Sequence, residues 1–266
     1  MTTRRASASV PASASGTASA SGTAPLPATA LALALAGALT LTLTGCSLLD
    51  ERKRMTADAT VTEAVSAVEV TGARSGSVEV TTGTGPGVTI GRTVHYWGSA
   101  PRPTERLDAG TLKLAVDCSD CAVDYRLAVP ASARVTVDSD SGRISVTGVA
   151  AADLHSDSGS IRAEGVTGPV RLDTSSGSIT GSALASPSAR ATSGSGDIRL
   201  DFTAAPSALT ATAGSGDVTV RVPGGTYRVD TRSDSGDRSV SLPSDPSAPS
   251  SLTLRTSSGD ISLAAR

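Results

Sequence analysis

Aromatic side chains are scarce, with one Trp, three Tyr and one Phe in 266 residues, so any core must rest on Val, Ile, Leu and Ala. Lysine is nearly missing: Lys53 and Lys113 are the only two, and neither follows a Gly-rich turn, which excludes a phosphate-cradling loop. Histidine is limited to His95 and His155, and no G-x-S-x-G elbow occurs among the many serines, so a Ser–His nucleophile lacks its parts. Cysteine occurs three times, at Cys46, Cys118 and Cys121; a single C-x-x-C without a second pair cannot supply the four ligands of a structural zinc site. The formal charge is −2 and no basic cluster stands out, which argues against nucleic acid as a partner. No segment repeats its apolar residues at the 3.6-residue period of an amphipathic helix.

Residues 1–45 read as an export segment. Arg4 and Arg5 carry positive charge near the start, an apolar stretch runs from about Leu26 to Leu43, and Leu43-Thr44-Gly45-Cys46 follows directly. That tetrapeptide resembles a lipobox, and the resemblance implies that Cys46 receives a diacylglyceryl thioether and becomes the new N-terminus. A plain membrane span is the competing reading, but Ala28–Leu43 falls short of the ~20 apolar residues a span needs. The expected location is the outer face of the cytoplasmic membrane, reached by lipid anchoring. Losing Arg4 and Arg5, with no acid in that stretch, moves the formal charge from −2 to −4. Residues 46–60, with Asp50-Glu51-Arg52-Lys53-Arg54, lack apolar periodicity and read as a tether.

From Ala64 onward the apolar residues alternate with polar ones and Gly, Ser, Asp and Pro separate the runs, so the mature part is expected to be all-β. Residues 61–133 form a less regular β cap region with strands at Val68–Val70, Val78–Val80 and Val88–Ile90. Leu112–Val116 and Val123–Val129 read as a hairpin-like pair joined through Asp117–Cys121. Residues 134–266 carry a repeat marked by Ser-Gly, at Gly142, Gly159, Gly177, Gly196, Gly216, Gly236 and Gly259. Two residues after each Gly stand Ile144, Ile161, Ile179, Ile198, Val218, Arg238 and Ile261, so Arg238 breaks the pattern in the sixth unit. Each unit is strand, turn, strand, loop. Such a unit cannot bury its own apolar face and must stack on its neighbours, which predicts a β-solenoid of about seven coils spanning roughly 34 Å. Gly is expected at the corner for a positive φ, and the Ser before it for a hydroxyl bond to nearby backbone.

Three groups of side chains invite a functional reading. Asp197, Asp217, Asp237 and Asp260 follow the repeat Gly, and are expected either as turn acids accepting backbone N–H bonds or as a calcium-favouring column; the first is preferred, and no metal or cofactor is assigned. Cys118 and Cys121 are expected as a disulfide across the Ser119-Asp120 turn. His95-Tyr96-Trp97 is either a sugar- or peptide-contacting patch or a plug for the end of the β core, with the plug preferred.

With Cys118-x-x-Cys121-Ala-Val-Asp-Tyr-Arg-Leu-Ala-Val-Pro130, then Val-Thr-Val-Asp-Ser-Asp-Ser-Gly and the recurring Ser-Gly-Asp-Ile, the chain resembles the "putative adhesin" family, domain-of-unknown-function family 4097, over roughly Val65 to Arg266. The resemblance implies a β-solenoid on surface proteins and no established catalytic residue. The functional expectation is a non-catalytic, adhesin-like binding or scaffolding lipoprotein whose surface ligand is a wall polymer or a protein. An envelope-stress component sensing membrane-active compounds is the alternative, and a carbohydrate-active β-helix enzyme a third.

Overall fold

Strict alternation of one apolar and one polar residue gives a strand with a single greasy face, and two such strands bury each other only by facing across a core. The structure, a computed structural model, describes residues 52–266; the export segment and Cys46 lie outside the described residues. The described residues form one compact unit. Its first strands are β1 (Lys53–Thr56), β2 (Ala59–Val61), β3 (Ala67–Thr71), β4 (Val78–Thr82), β5 (Val88–Tyr96), β6 (Arg102–Asp108), β7 (Thr111–Asp117) and β8 (Cys121–Val129). The repeats follow as pairs: β9 (Arg134–Ser139) with β10 (Ile144–Thr147), β11 (Ala151–Ser156) with β12 (Ile161–Glu164), and β13 (Val170–Thr174) with β14 (Ile179–Leu184). Next come β15 (Ser188–Ser193) with β16 (Ile198–Phe202), and β17 (Ala208–Ala213) with β18 (Val218–Val222). The last are β19 (Arg228–Ser235) with β20 (Arg238–Val240), and β21 (Ser251–Ser258) with β22 (Ile261–Ala265).

The first strand of each pair enters a ten-stranded sheet and the second a twelve-stranded sheet. The two sheets are the walls of a β-solenoid. Along the larger wall the inward ladder is Ile144, Ile161, Ile179, Ile198, Val218 and Ile261, each paired in parallel register with the next. Along the smaller one it is Val135, Ala152, Val170, Ala189, Leu209 and Leu252. All twelve are buried. Each buried Ile or Val contributes about 1.5–3 kcal/mol, but only because the adjoining coil covers it.

Seven Ser-Gly coils are joined by two more. β3 with β4 and β7 with β8 are coils of the same design, so the segment 61–133 extends the solenoid and is irregular only in β5, β6 and their connections. The hairpin expected of Leu112–Val116 and Val123–Val129 does not form: β7 pairs with β3 and β6, while β8 pairs with β4 and β5. Leu112 and Leu114 on one wall, and Tyr125 and Leu127 on the other, are buried against each other, and a hairpin would have left them side by side on one sheet. The tether reading is corrected too. Within 46–60, β1 and β2 pair antiparallel with β5, because Met55, Ala59 and Val61 alternate and pack against the core.

Spatial order departs from chain order at both ends. β7/β8 lies outside β3/β4 at one end, and β19/β20 lies outside β21/β22 at the other. This explains Arg238. β20 belongs to the outermost coil and is exposed throughout, so nothing would cover an Ile there. The Arg238 guanidinium instead folds back and donates to the Thr231 carbonyl, 3.2 Å away. The loop carrying Pro243, Pro246 and Pro249 lets the chain cross back and insert its last coil beneath the previous one; its Leu242 and Ala248 are buried.

The neighbourless coil and the enclosed ones therefore differ in sensitivity. Ile179→Ala is expected to cost about 3–4 kcal/mol in urea unfolding, as for other buried aliphatic truncations, whereas Arg238→Ala stays under about 1 kcal/mol. Equal losses would contradict this layering.

Candidate functional site

The seven repeat glycines form one column, and steric crowding accounts for them better than dihedral freedom. Only Gly236 has a positive φ, of 155°; the other six do not, contrary to the expectation from turn chemistry. A Cβ on Gly159 would overlap the carbonyl oxygen of Gly142, and the same holds for Gly177 on Gly159, Gly196 on Gly177, Gly216 on Gly196, Gly259 on Gly216 and Gly236 on Gly259. Each corner presses backbone onto backbone. Gly142 meets the carbonyl of Gly76 in the same way, so Ser75-Gly76 is an eighth corner of this kind.

The hydroxyl that stitches the corners is three residues before the Gly, not one. Thr174 donates to the Gly159 carbonyl (3.1 Å) and accepts from the Gly177 N–H (3.0 Å). Ser193 does the same between the Gly177 carbonyl (2.9 Å) and the Gly196 N–H (2.8 Å). Thr256 and Ser233 donate to the carbonyls of Gly216 and Gly259, both at 2.9 Å.

The aspartates after the Gly make a second column, in the spatial order Asp197, Asp217, Asp260, Asp237. The Asp217 N–H donates to Asp197 Oδ1 (3.1 Å), the Asp260 N–H to Asp217 Oδ1 (2.9 Å), and the Asp237 N–H to Asp260 Oδ1 (2.8 Å). Backbone dipoles thus relieve the like charges. The Asp217 N–H, and then the Arg199 side chain, hold the Asp197 carboxyl below the usual carboxylate range. Asp124 plays the same part at the other end, accepting from the Ser77 N–H (2.8 Å) and hydroxyl (2.7 Å). Burial works to raise the Asp124 carboxyl, but the two Ser77 bonds, with His95 and Arg126 near, outweigh it and hold it low. Among the described residues, no group of three His, Cys, Asp or Glu side chains could hold a metal ion.

The C-x-x-C takes over the corner between β7 and β8, where Cys118 and Cys121 are joined as a disulfide with Cα atoms 5.9 Å apart. Here Val123 stands where the next coil has Gly76. His95 and Tyr96 end β5 and are partly covered; Trp97, the first residue of the loop that follows, is 42% exposed. The expected core plug is therefore not Trp97. That role falls to Arg92, whose buried guanidinium reaches across from one wall to pair with Glu105 on the other and lies 5.8 Å from the Tyr125 ring centre. Burial, with Glu105 adding to it and Arg92 opposing, pushes the Tyr125 hydroxyl up to about 12.

Around Trp97 two clefts open. One, of about 500 Å³, is lined by Tyr96, Trp97, Pro101, Arg102, Asp117 and Cys118. The other, of about 450 Å³, lies between Arg52, Arg74, Trp97, Cys121 and Asp140. The Arg52 guanidinium stands 5.2 Å from the Trp97 ring centre, and Lys53 Nζ donates to the Gly98 carbonyl at 2.9 Å. An aromatic face, guanidinium groups and carboxylates thus gather at one end of the solenoid. Elsewhere the outward side chains are small hydroxyls and Arg–acid pairs such as Arg162–Glu164 and Arg171–Asp173.

Thr174→Val should cost about 1–3 kcal/mol, because it leaves the Gly177 N–H and the Gly159 carbonyl buried without a partner. Ser176→Ala, one residue before the Gly, should be nearly neutral by the same thermal melt. A depressed carboxyl stabilises fully above the unfolded carboxylate range near pH ~4, and that contribution is lost as pH falls through its lower folded value. Asp197→Asn is accordingly expected to flatten the acid limb of the stability–pH curve below about pH 4, and an unchanged limb would refute the role given to Asp197.

The sequence model described as Toastrack DUF4097 matches residues 51–264. No curated protein matches the chain. Among solved structures, a "putative adhesin" from Parabacteroides distasonis is similar at 13% identity, covering 80% of this chain and 98% of that one, with a TM-score of 0.46. One from Bacteroides fragilis is similar at 15% identity over 82% and 99%, with a TM-score of 0.44. A "putative cell adhesion protein" from Clostridium sporogenes stands at 8% identity over 81% and 100%, with a TM-score of 0.37. With its repeat corners and both flanking coils inside the matched span, the chain belongs to the Toastrack DUF4097 family.

Proposed function

We propose that this chain is an exported lipoprotein, held at the outer face of the cytoplasmic membrane through Cys46, that works as a non-catalytic adhesin-like binding or scaffolding module. The observation that carries the non-catalytic reading is the state of the carboxylates. The acids stacked in one column, Asp197, Asp217 and Asp260, each accept a backbone N–H from the adjoining coil. Such groups build corners; a glycosidase instead needs two carboxyls facing one another across a substrate. Two long walls of outward hydroxyls and paired charges are well suited to holding an extended polymer or protein. The lipid reading draws on Leu43-Thr44-Gly45-Cys46 and on how soon the folded unit begins after it, with β1 starting at Lys53.

Cys46→Ser is expected to move the protein from the membrane fraction to the soluble one and to abolish palmitate labelling. Retention in the membrane without label would refute the anchor. On a panel of glycans the purified mature chain should capture wall polymer without turnover, and turnover that disappears on Asp217→Ala would overturn the non-catalytic reading.

A further inference from the structure

We infer that the N-terminal end of the solenoid, built by β1, the 97–101 loop and β6, docks on the surface of an anionic lipid bilayer; this rests on the lipid-anchor reading of Cys46. β1 and β6 are the outermost strands of the two walls, and the loop between β5 and β6 crosses from one wall to the other. Together they make an end plate. Its cations are Arg52, Lys53 and Arg54 beside and on β1, and Arg102 and Arg106 on β6, all exposed. Glu105 is engaged by Arg92, while Asp108 on β6 and Asp117 and Asp120 beside Trp97 are the acids at this end, so five cations face three carboxylates. A surplus of positive charge at one end is notable in a chain whose mature part carries a net negative charge.

Apolar exposure is concentrated there as well. The exposed large hydrophobic side chains among the described residues are Trp97 (42%), Leu107 (37%) and Val240 (40%), and the first two belong to this plate. Trp and Arg or Lys side by side is the pairing that favours a membrane–water interface, where the ring sits at headgroup level and the cations meet phosphate. The far end differs. β19 carries Arg228, Asp230, Arg232 and Asp234 in alternation, with Arg232 bridged to Asp234 and Asp230 to Arg255.

Chain length supplies the proximity. Arg52 is six residues after Cys46, a reach of at most about 22 Å from the acylated residue. Electrostatic attraction to headgroups acts within roughly 8 Å at physiological salt, so a plate delivered this close needs little further ordering to engage. Docked by this end, the solenoid stands upright, with β20 roughly 48 Å from β1 and both walls free for a ligand.

The test uses the mature chain with Cys46→Ser, so that no acyl group contributes, mixed with phosphatidylcholine vesicles with or without phosphatidylglycerol. Trp97 is the chain's single Trp, and its emission reports the plate directly. Co-sedimentation and a blue shift are expected with the anionic vesicles and not with phosphatidylcholine alone. Arg52→Gln, Lys53→Gln and Arg54→Gln should each weaken binding roughly fivefold. Trp97→Ala should weaken it at an unchanged melting temperature, while Arg228→Gln at the far end should leave it alone. Equal sedimentation with both vesicles, or plate variants that bind like the wild type, would overturn docking. Palmitate labelling of the unaltered chain in cells separates the two readings: label without vesicle binding removes docking and keeps the anchor, whereas vesicle binding without label does the reverse.

Discussion

Everything in this molecule is subordinate to the contact between successive corners, where the carbonyl of one glycine occupies the space a side chain of the next would need. Stacking this tight fixes the register of both walls at once: with Gly177 seated on Gly159, Ile179 must lie on Ile161 and Leu172 on Leu154. The buried hydroxyl of Thr174 closes the same joint from inside by bonding both glycines. Hydrophobic burial supplies most of the energy and by itself forbids a slip of one residue, which would turn the apolar face outward; a slip of two keeps the faces, and it is the corner that forbids that.

A stack of this kind has two ends, and each is a problem because its last coil buries only one side. The chain handles them differently. At the C-terminal end it replaces apolar residues with polar ones, using Arg238 to reach a free carbonyl, and places the more regular final coil β21/β22 beneath. At the N-terminal end it keeps the core intact as far as Tyr125, seals it with Arg92 and Glu105, and adds antiparallel strands as a lid. At the C-terminal end the out-of-order insertion ties the outermost coil β19/β20 into the chain on both sides, which protects it from fraying.

Much of this was legible in the residues, and what was not shares one cause. The seven corners, their inward Ile and Val, and the all-β class follow from local spacing, because period two and a recurring Ser-Gly are properties of neighbours in sequence. Spatial order is not. Leu112–Val116 and Val123–Val129 look like hairpin arms, and only the partners β3 and β4, more than thirty residues upstream by their starts, reveal them as a coil. The reason for the glycines is hidden from local spacing on the same ground, since the atom that excludes a Cβ belongs to another coil. One clue lay in plain view: a Ser or Thr three residues before the repeat Gly in six of seven units, with Ala213 the exception, marks the hydroxyl column. Arg92 carried a clue of its own, standing in phase with Val88, Ile90 and Val94 on the inward face of its strand, but its partner Glu105 lies on the other wall and is not read from local spacing.

The candidate site inherits its character from this division of labour. Corner acids and hydroxyls are committed to holding coils together, so the side chains with freedom to meet a partner are those outside the columns. Along the walls these are short hydroxyls and Arg–acid pairs, each such pair contributing under about 1 kcal/mol and readily exchanged for a ligand's groups. At the N-terminal end they are Trp97, Leu107 and a surplus of cations, displayed on edge strands that no further coil covers. A protein built by repetition can hold a specific surface only where repetition stops. Here it stops at the plate built on β1, where neither Trp97 nor the Arg52–Arg54 run has a counterpart in any other coil.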